Sequence, residues 1–286
     1  MSPSLFGRYA NCIIAPINGT PGLDVSNLRI VFEAEKTSTS EANKATVKIY
    51  NLSKASRSRI RKKEQAIILN AGYTDIHSVA VSGVIHRIEH SRDGVDIVSM
   101  MEIRDGGLGL DAGEFRRSYP AGTQKSTIIG DILATMPDIS RGPMVATGIS
   151  GATTSNLHFS GASRAALDKL ARAWRFEWSV QDGSAQFLDR SKAVTPDMLA
   201  VYLSPDTGLI GCPTRTDKGA KFESLLMPHI RPGVLIDLQS EFVTSVMKAL
   251  TVKLTGDTHG ADWKNEIEAK DLLGKPTQHL KFKKKK

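Results

Sequence analysis

Hydrophobic and polar residues alternate along most of the first hundred positions. Leu28, Ile30 and Phe32 are spaced two apart with Arg29, Val31 and Glu33 between them, and Ala45, Val47 and Ile49 repeat the pattern. A period of two places one set of side chains on each face of a strand. Asn11 to Ile17 is a short apolar run. Ala66 to Leu69 is a strand that ends in Asn70-Ala71-Gly72-Tyr73, where Gly72 marks a bend or a bulge. Ser78 to His90 is β-branched and alternating, with Gly83 inside it. It reaches Arg92-Asp93-Gly94, and Asp-Gly supplies the positive φ angles of a hairpin turn before a returning strand, Asp96 to Ile103. Lys36 to Asn43 reads as a loop. Ser53 is placed to cap a short basic helix, Lys54 to Lys63, too polar to bury more than a narrow stripe.

The middle of the chain changes period. Ile128, Ile129, Ile132 and Leu133 lie at helical spacing within Thr123 to Met136, and Pro137 stops that helix. Gly142 to Gly161 reads as a long loop. A second helix, Ser163 to Ala173, starts at a capping Ser163 and turns Leu167, Leu170 and Ala171 to one face. Phe176 to Val180 and Ala185 to Leu188 flank Gln181-Asp182-Gly183-Ser184, a hairpin signature. From Val201 the strand pattern returns. A turn-dense stretch runs from Ser204 to Pro213, and Glu223 to Met227 reads as one helical turn before Pro228. Val234, Ile236 and Leu238 alternate, as do Leu250, Val252 and Leu254. Gly256 to Trp263 is a loop and Lys264 to Ala269 a last strand.

The two β regions resemble each other faintly. Each has a strand, a short connection, a further strand, a long strand and a glycine-containing turn. The expected fold class is α+β, mainly β, with two similar β-barrel-like domains and an α/β insertion between them. The expected boundaries are 1–110 and 199–272 for the β domains, 111–198 for the insertion and 273–286 for a basic tail.

Composition narrows the function. The net charge is +8, but Lys281 to Lys286 hold five lysines, so the body carries only 8 − 5 = +3. A global nucleic-acid-binding field is not indicated; the tail is a solvated end or a contact with an acidic partner. No stretch approaches a membrane span, and Met1 to Ala10 lacks the apolar core of a secretory signal. Two cysteines, Cys12 and Cys212, make no disulfide framework and suit a reducing cytoplasm.

The chain has no Gly-x-Ser-x-Gly elbow, no phosphate loop and no His-Glu-x-x-His. His86 and His90 stand four apart on a strand, so their Cα atoms are roughly 13 Å apart and cannot share an ion. Asp257, His259 and Asp262 are the best constellation on offer for acid–base or metal chemistry. Gly256 and Gly260 bracket them, however, and the same residues serve a tight turn through side-chain to backbone bonds. Trp174 and Trp178 are core residues. No catalytic, cofactor-binding or metal residue is assigned.

The order of Asn51-Leu52-Ser53, Ala71-Gly72-Tyr73, Gly83-Val84-Ile85, Asp105-Gly106 and Tyr119-Pro120-Ala121-Gly122-Thr123 resembles that in the baseplate hub proteins of contractile-tailed bacteriophages. Thr207 to Pro213, Leu225-Leu226-Met227-Pro228, Pro232-Gly233 and Gly256-Asp257-Thr258 with Gly260 and Trp263 continue the likeness. Each motif is mostly turn residues; their order over residues 5–270 is more specific. The resemblance implies a structural virion protein, made in the host cytoplasm, that forms a homotrimer. Its two β domains per chain would match a six-fold tail tube on one side and a three-fold central spike on the other. Other baseplate subunits would be partners and DNA would cross the lumen. The hub part of type VI secretion spikes has the same plan. Two other functions stand beside this one: a cell-wall hydrolase of the tail with Asp257, His259 and Asp262 as its centre, and a nucleic-acid binder acting through Lys281 to Lys286.

Overall fold

The computed structural model is mainly β. It describes residues 4–17, 22–61, 64–189 and 199–272, and the backbone of 278–280. The first β region holds β1 (Arg8–Pro16), β2 (Leu23–Asp24), β3 (Ile30–Thr37), β4 (Lys44–Tyr50), helix α1 (Lys54–Arg59), β5 (Gln65–Tyr73), β6 (Ile76–Asp93) and β7 (Asp96–Arg104). An insertion follows: α2 (Gly107–Ala112), β8 (Glu114–Tyr119), α3 (Lys125–Leu133), β9 (Ser140–Met144), β10 (Leu157–Ala162), α4 (Ser163–Trp174), β11 (Glu177–Gln181) and β12 (Ser184–Leu188). The second β region holds β13 (Leu199–Leu203), β14 (Leu209–Thr216), β15 (Gly219–Leu225), β16 (Leu235–Gln239), β17 (Thr244–Asp257) and β18 (Trp263–Asp271), with β19 (Gln278–Leu280) beside β13.

The two β regions arrange their strands in the same order. The first runs β3-β4-β7-β6-β5-β1 and the second β14-β15-β18-β17-β16-β13. Counted along the chain without β2 and β19, both read second, third, sixth, fifth, fourth, first. The irregularities coincide as well. The ladder of β6 on β7 slips between Ile85 and Arg87, opposite Ile103 and Glu102. That of β17 on β18 slips between Ala249 and Thr251, opposite Ala269 and Glu268. One pairing differs: β1 runs antiparallel to β5, whereas β13 runs parallel to β16. The Asp189 carbonyl accepts from Lys248, which pairs with Leu235 at the start of β16. The chain therefore reaches β13 from the insertion, at the end where β16 begins.

The two regions share one sheet, because β17 pairs with β3. They also share one core, in which Phe32, Ile49, Leu69 and Ile103 pack in the same cluster as Phe222, Ile236, Leu254 and Ile267. The insertion has a core of its own around Phe115, Ile132, Leu167 and Phe187. Its helix α3 buries Ile128, Ile129, Ile132 and Leu133, each worth about 1.5–3 kcal/mol.

Several sequence-based expectations are corrected. The basic helix stops at Arg59; Ser53 does cap it, its Oγ accepting from the Ser56 N–H at 3.0 Å. Ser163 is the first residue of α4 rather than its cap, and its buried Oγ pairs with Thr135 Oγ1 at 2.7 Å. Glu223 to Leu225 belong to β15, paired with β14 and β18, so cross-strand bonding overrides the local helical reading. Gly142 to Gly161 holds part of β9 and most of β10, and the turn-dense stretch holds the first five residues of β14, 209–213. α2 and β8 have too little periodicity to be read from sequence. The tail lysines, Lys281 to Lys286, lie outside the described residues.

Candidate assembly surface

The loop with the most chemically promising residues is a braced turn. Asp257 accepts from Arg29 at 3.2 and 2.7 Å and from the His259 N–H at 2.9 Å. Those bonds, Arg29 first, hold its carboxyl at about 2. The Arg8 guanidinium donates to the Asp257 and Ala261 carbonyls at 3.1 and 3.0 Å and lies 5.2 Å over the Trp263 ring. His259 Nδ1 bonds Thr258 Oγ1 at 2.9 Å. Asp257 faces its own turn, and Asp262 takes part through its carbonyl, which accepts from the Asp257 N–H. Asp257, His259 and Asp262 are thus neighbours in a turn, not groups converging on one point. His90 Nδ1 bonds Ser99 Oγ at 2.9 Å, and His86 sits at the β6 irregularity. Among the described residues no group of three or more His, Cys, Asp or Glu is placed to hold a metal ion.

The sheet has one face in the core and one face covered with charge. Alternation on β3 buries Ile30, Phe32 and Ala34 and exposes Glu33 and Glu35. Across the strands acidic and basic rows pair: Lys221 with Glu268 at 3.2 Å, Lys264 with Glu223 at 3.0 Å, Lys253 with Glu33 at 2.9 Å, and Arg87 with Glu102 at 3.6 Å. The charged face therefore carries little net field. It hollows into a groove of about 480 Å³ that runs from β14 to Glu35 on β3.

The edges of the sheet are its other notable feature. β17 is long enough to serve two neighbours on one side: residues 244–248 pair with β16 and residues 251–257 with β3. At the β3 junction Leu254 faces Ala34 and Gly256 faces Phe32. A Cβ on Gly256 would come within 2.4 Å of that ring, so only glycine fits. β6 is longer still, at 18 residues against 14, and its first half pairs with β5. Among the described residues, the side of β6 that carries β5 has no strand on it beyond Val84, and β14 has a partner on one side only.

The insertion docks at the end of the strands away from the Asp257 turn. Its β11–β12 turn places Asp182 and Gly183 at φ 53° and 76°. The two N–H groups of that turn donate to the buried Asp105 carboxylate at 2.6 and 2.7 Å. Asp182 in turn meets Lys36 at 2.7 Å and Arg231 at 3.2 Å. One turn thereby ties the insertion to both β regions. Burial, then the nearby Asp182 charge, raises Asp105 to about 6. Lys248, fully buried, reaches Glu177 at 3.1 Å. Sequence reasoning missed this cluster, although the lysines at 36 and 248, at positions that bury within strands, are the signal that marks it.

A family model described as baseplate hub gp41 matches residues 18–255. The chain belongs to this baseplate hub family. It is a structural protein of the phage tail baseplate. The 43 kDa tail protein of prophage MuSo2 from Shewanella oneidensis has the same fold, with a TM-score of 0.62 at 12% identity over 91% of this chain and 98% of that one. A tail protein from Neisseria meningitidis MC58 superposes with a TM-score of 0.65 at 10% identity, covering 93% of this hub and 97% of that chain. The E. coli c3393 protein, a component of the type VI secretion system, gives 0.57 at 12% identity over 88% and 76%. No curated relative matches the hub chain.

Proposed function

We propose that three copies of this hub form a ring that adapts a six-fold tail tube to a three-fold central spike. The reading is supported chiefly by the doubled strand order: two modules of one topology in each chain make six similar units in three chains. On this reading 1–110 and 199–272 are two barrel-like tube domains, 111–198 is the single unit per chain that keeps the ring three-fold, and 273–286 is a tail. The similarity to c3393, whose own description likens it to T4 tail proteins gp27 and gp5, supports tail-tube and spike partners.

Its site is the virion baseplate after synthesis in the host cytoplasm, among other baseplate subunits. The hollow charged face would line the lumen. Its paired Lys and Glu rows would give DNA a wet, nearly neutral wall with no net attraction to hold it. The hub works by shape and carries no enzymatic step.

Light scattering on the purified chain tests the ring. The expected mass is three times the 31.0 kDa of one chain. A strict monomer at high concentration, both alone and with the spike protein, contradicts it.

A further inference from the structure

We propose that the ring closes by main-chain pairing between β6 of one copy, over residues 89–93, and β14 of the next, antiparallel and in a defined register. The inference rests on the ring reading above. It comes from laying one β region on the other.

The ladders fix the correspondence residue by residue. Ile103 and Ala269 precede the matching irregularities, so Ile85 corresponds to Ala249, Arg87 to Thr251, and Ser91 to Thr255. Through β4 and β15, Glu33 corresponds to Thr214 and Ala34 to Arg215. Within the chain, Thr255 faces Glu33 and Leu254 faces Ala34. The same relation repeated between copies sets Ser91 opposite Thr214 and His90 opposite Arg215. Nearer the hairpin, β14 carries two extra residues within Gly211-Cys212-Pro213, where its pairing with β15 is irregular, so the strict register holds from Thr214 onward.

The chemistry of the two junctions differs as their exposure requires. The in-chain junction meets through buried Leu254, Ala34 and Gly256. At the corresponding open positions stand His90, Arg215 and Arg92, which are polar and exposed in the single chain. Polar edges keep a strand soluble and discourage pairing with unrelated chains, while their backbone groups remain able to bond. A head-to-tail contact of this kind closes into a ring when the rotation that repeats it does. Each chain offers an eight-strand path from β14 to β6, and three such paths leave no open edge.

Crosslinking of the full-length chain tests the register. In a Cys212→Ser background, Ser91→Cys with Thr214→Cys puts thiols on facing, exposed positions; His90→Cys with Thr214→Cys puts them on opposite faces. Cys12 is buried and its thiol is pushed up to about 12, so it stays inert. Mild oxidation should link the first variant into dimers and trimers on a non-reducing gel and leave the second mostly unlinked, at least tenfold less. A trimer by light scattering that fails to link between positions 91 and 214 in the first variant, or links equally in both variants, overturns the pairing while leaving the ring. A chain that never leaves the monomer overturns both.

Discussion

Strands β6 and β17 hold the same place in two β regions of the same strand order, yet one half of β17 is sealed in the chain and the same half of β6 lies open. The difference is one of side chains rather than backbone. β17 brings Leu254 and Gly256 against β3, and the two regions merge into one core. β6 brings His90 and Arg92 to an edge that water covers. The same strand order thus yields a sealed joint in one place and an exposed polar edge in the other, according to how much apolar area each side chain removes from water.

Substitution at the paired positions should separate the two roles most strongly. Leu254→Asp puts a charge into the sealed joint and should cost about 4 kcal/mol or more, enough to unfold the chain in a denaturant titration. His90→Asp at the equivalent open position should cost within about 0.5–1 kcal/mol, because it loses mainly the bond to Ser99. Equal losses at the two sites would break the comparison.

The insertion latch should give the next largest effect. Asp105→Ala strands two turn N–H groups and should cost about 2–4 kcal/mol, with faster hydrogen exchange at residues 181–183. The pH dependence is specific. The folded state raises Asp105 from 3.8 to about 6, so it holds a proton that the unfolded chain releases. The stability that proton contributes is complete below about 4 and is lost as pH rises through about 6. Asp105→Asn should remove that slope between pH 4 and 6.

Asp257 behaves in the opposite sense. Its carboxyl is lowered from 3.8 to about 2 by Arg29, so its contribution is present above 3.8 and lost as pH falls through 2. Asp257→Asn should cost about 1–2 kcal/mol at neutral pH, since Arg29 is partly exposed, and should shift the acid-unfolding midpoint upward. The same variant should leave any behaviour of the protein on peptidoglycan unchanged; clearing on a zymogram that vanishes with Asp257 would revive the hydrolase reading. The smallest effect belongs to the charged face. Lys253→Ala should cost about 0.5 kcal/mol or less, and less still in high salt.

Much of this was legible in the sequence. The alternation at Leu28 to Phe32 and at Ala45 to Ile49 located β3 and β4, the Asp-Gly at 93–94 located the β6–β7 hairpin, and Ser53 located the start of α1. The bracing of Asp257 was readable from the glycines around it. What stayed hidden depends on partners far along the chain. β14 reads as turns because Gly211 and Pro213 interrupt it, and only its pairing with β15 makes it a strand. The merging of the two β regions through β17 and β3 joins residues more than two hundred apart, and no local pattern encodes that. The latch of Lys36, Asp105 and Asp182 is likewise assembled from three distant segments.

Averaged electron micrographs of the purified assembly, viewed down its axis, test the central claim most directly. A three-fold particle whose inner wall shows six near-equivalent lobes is the predicted result. A two-fold particle, a ring of another order, or a three-fold ring with only three lobes on its inner wall would contradict the account.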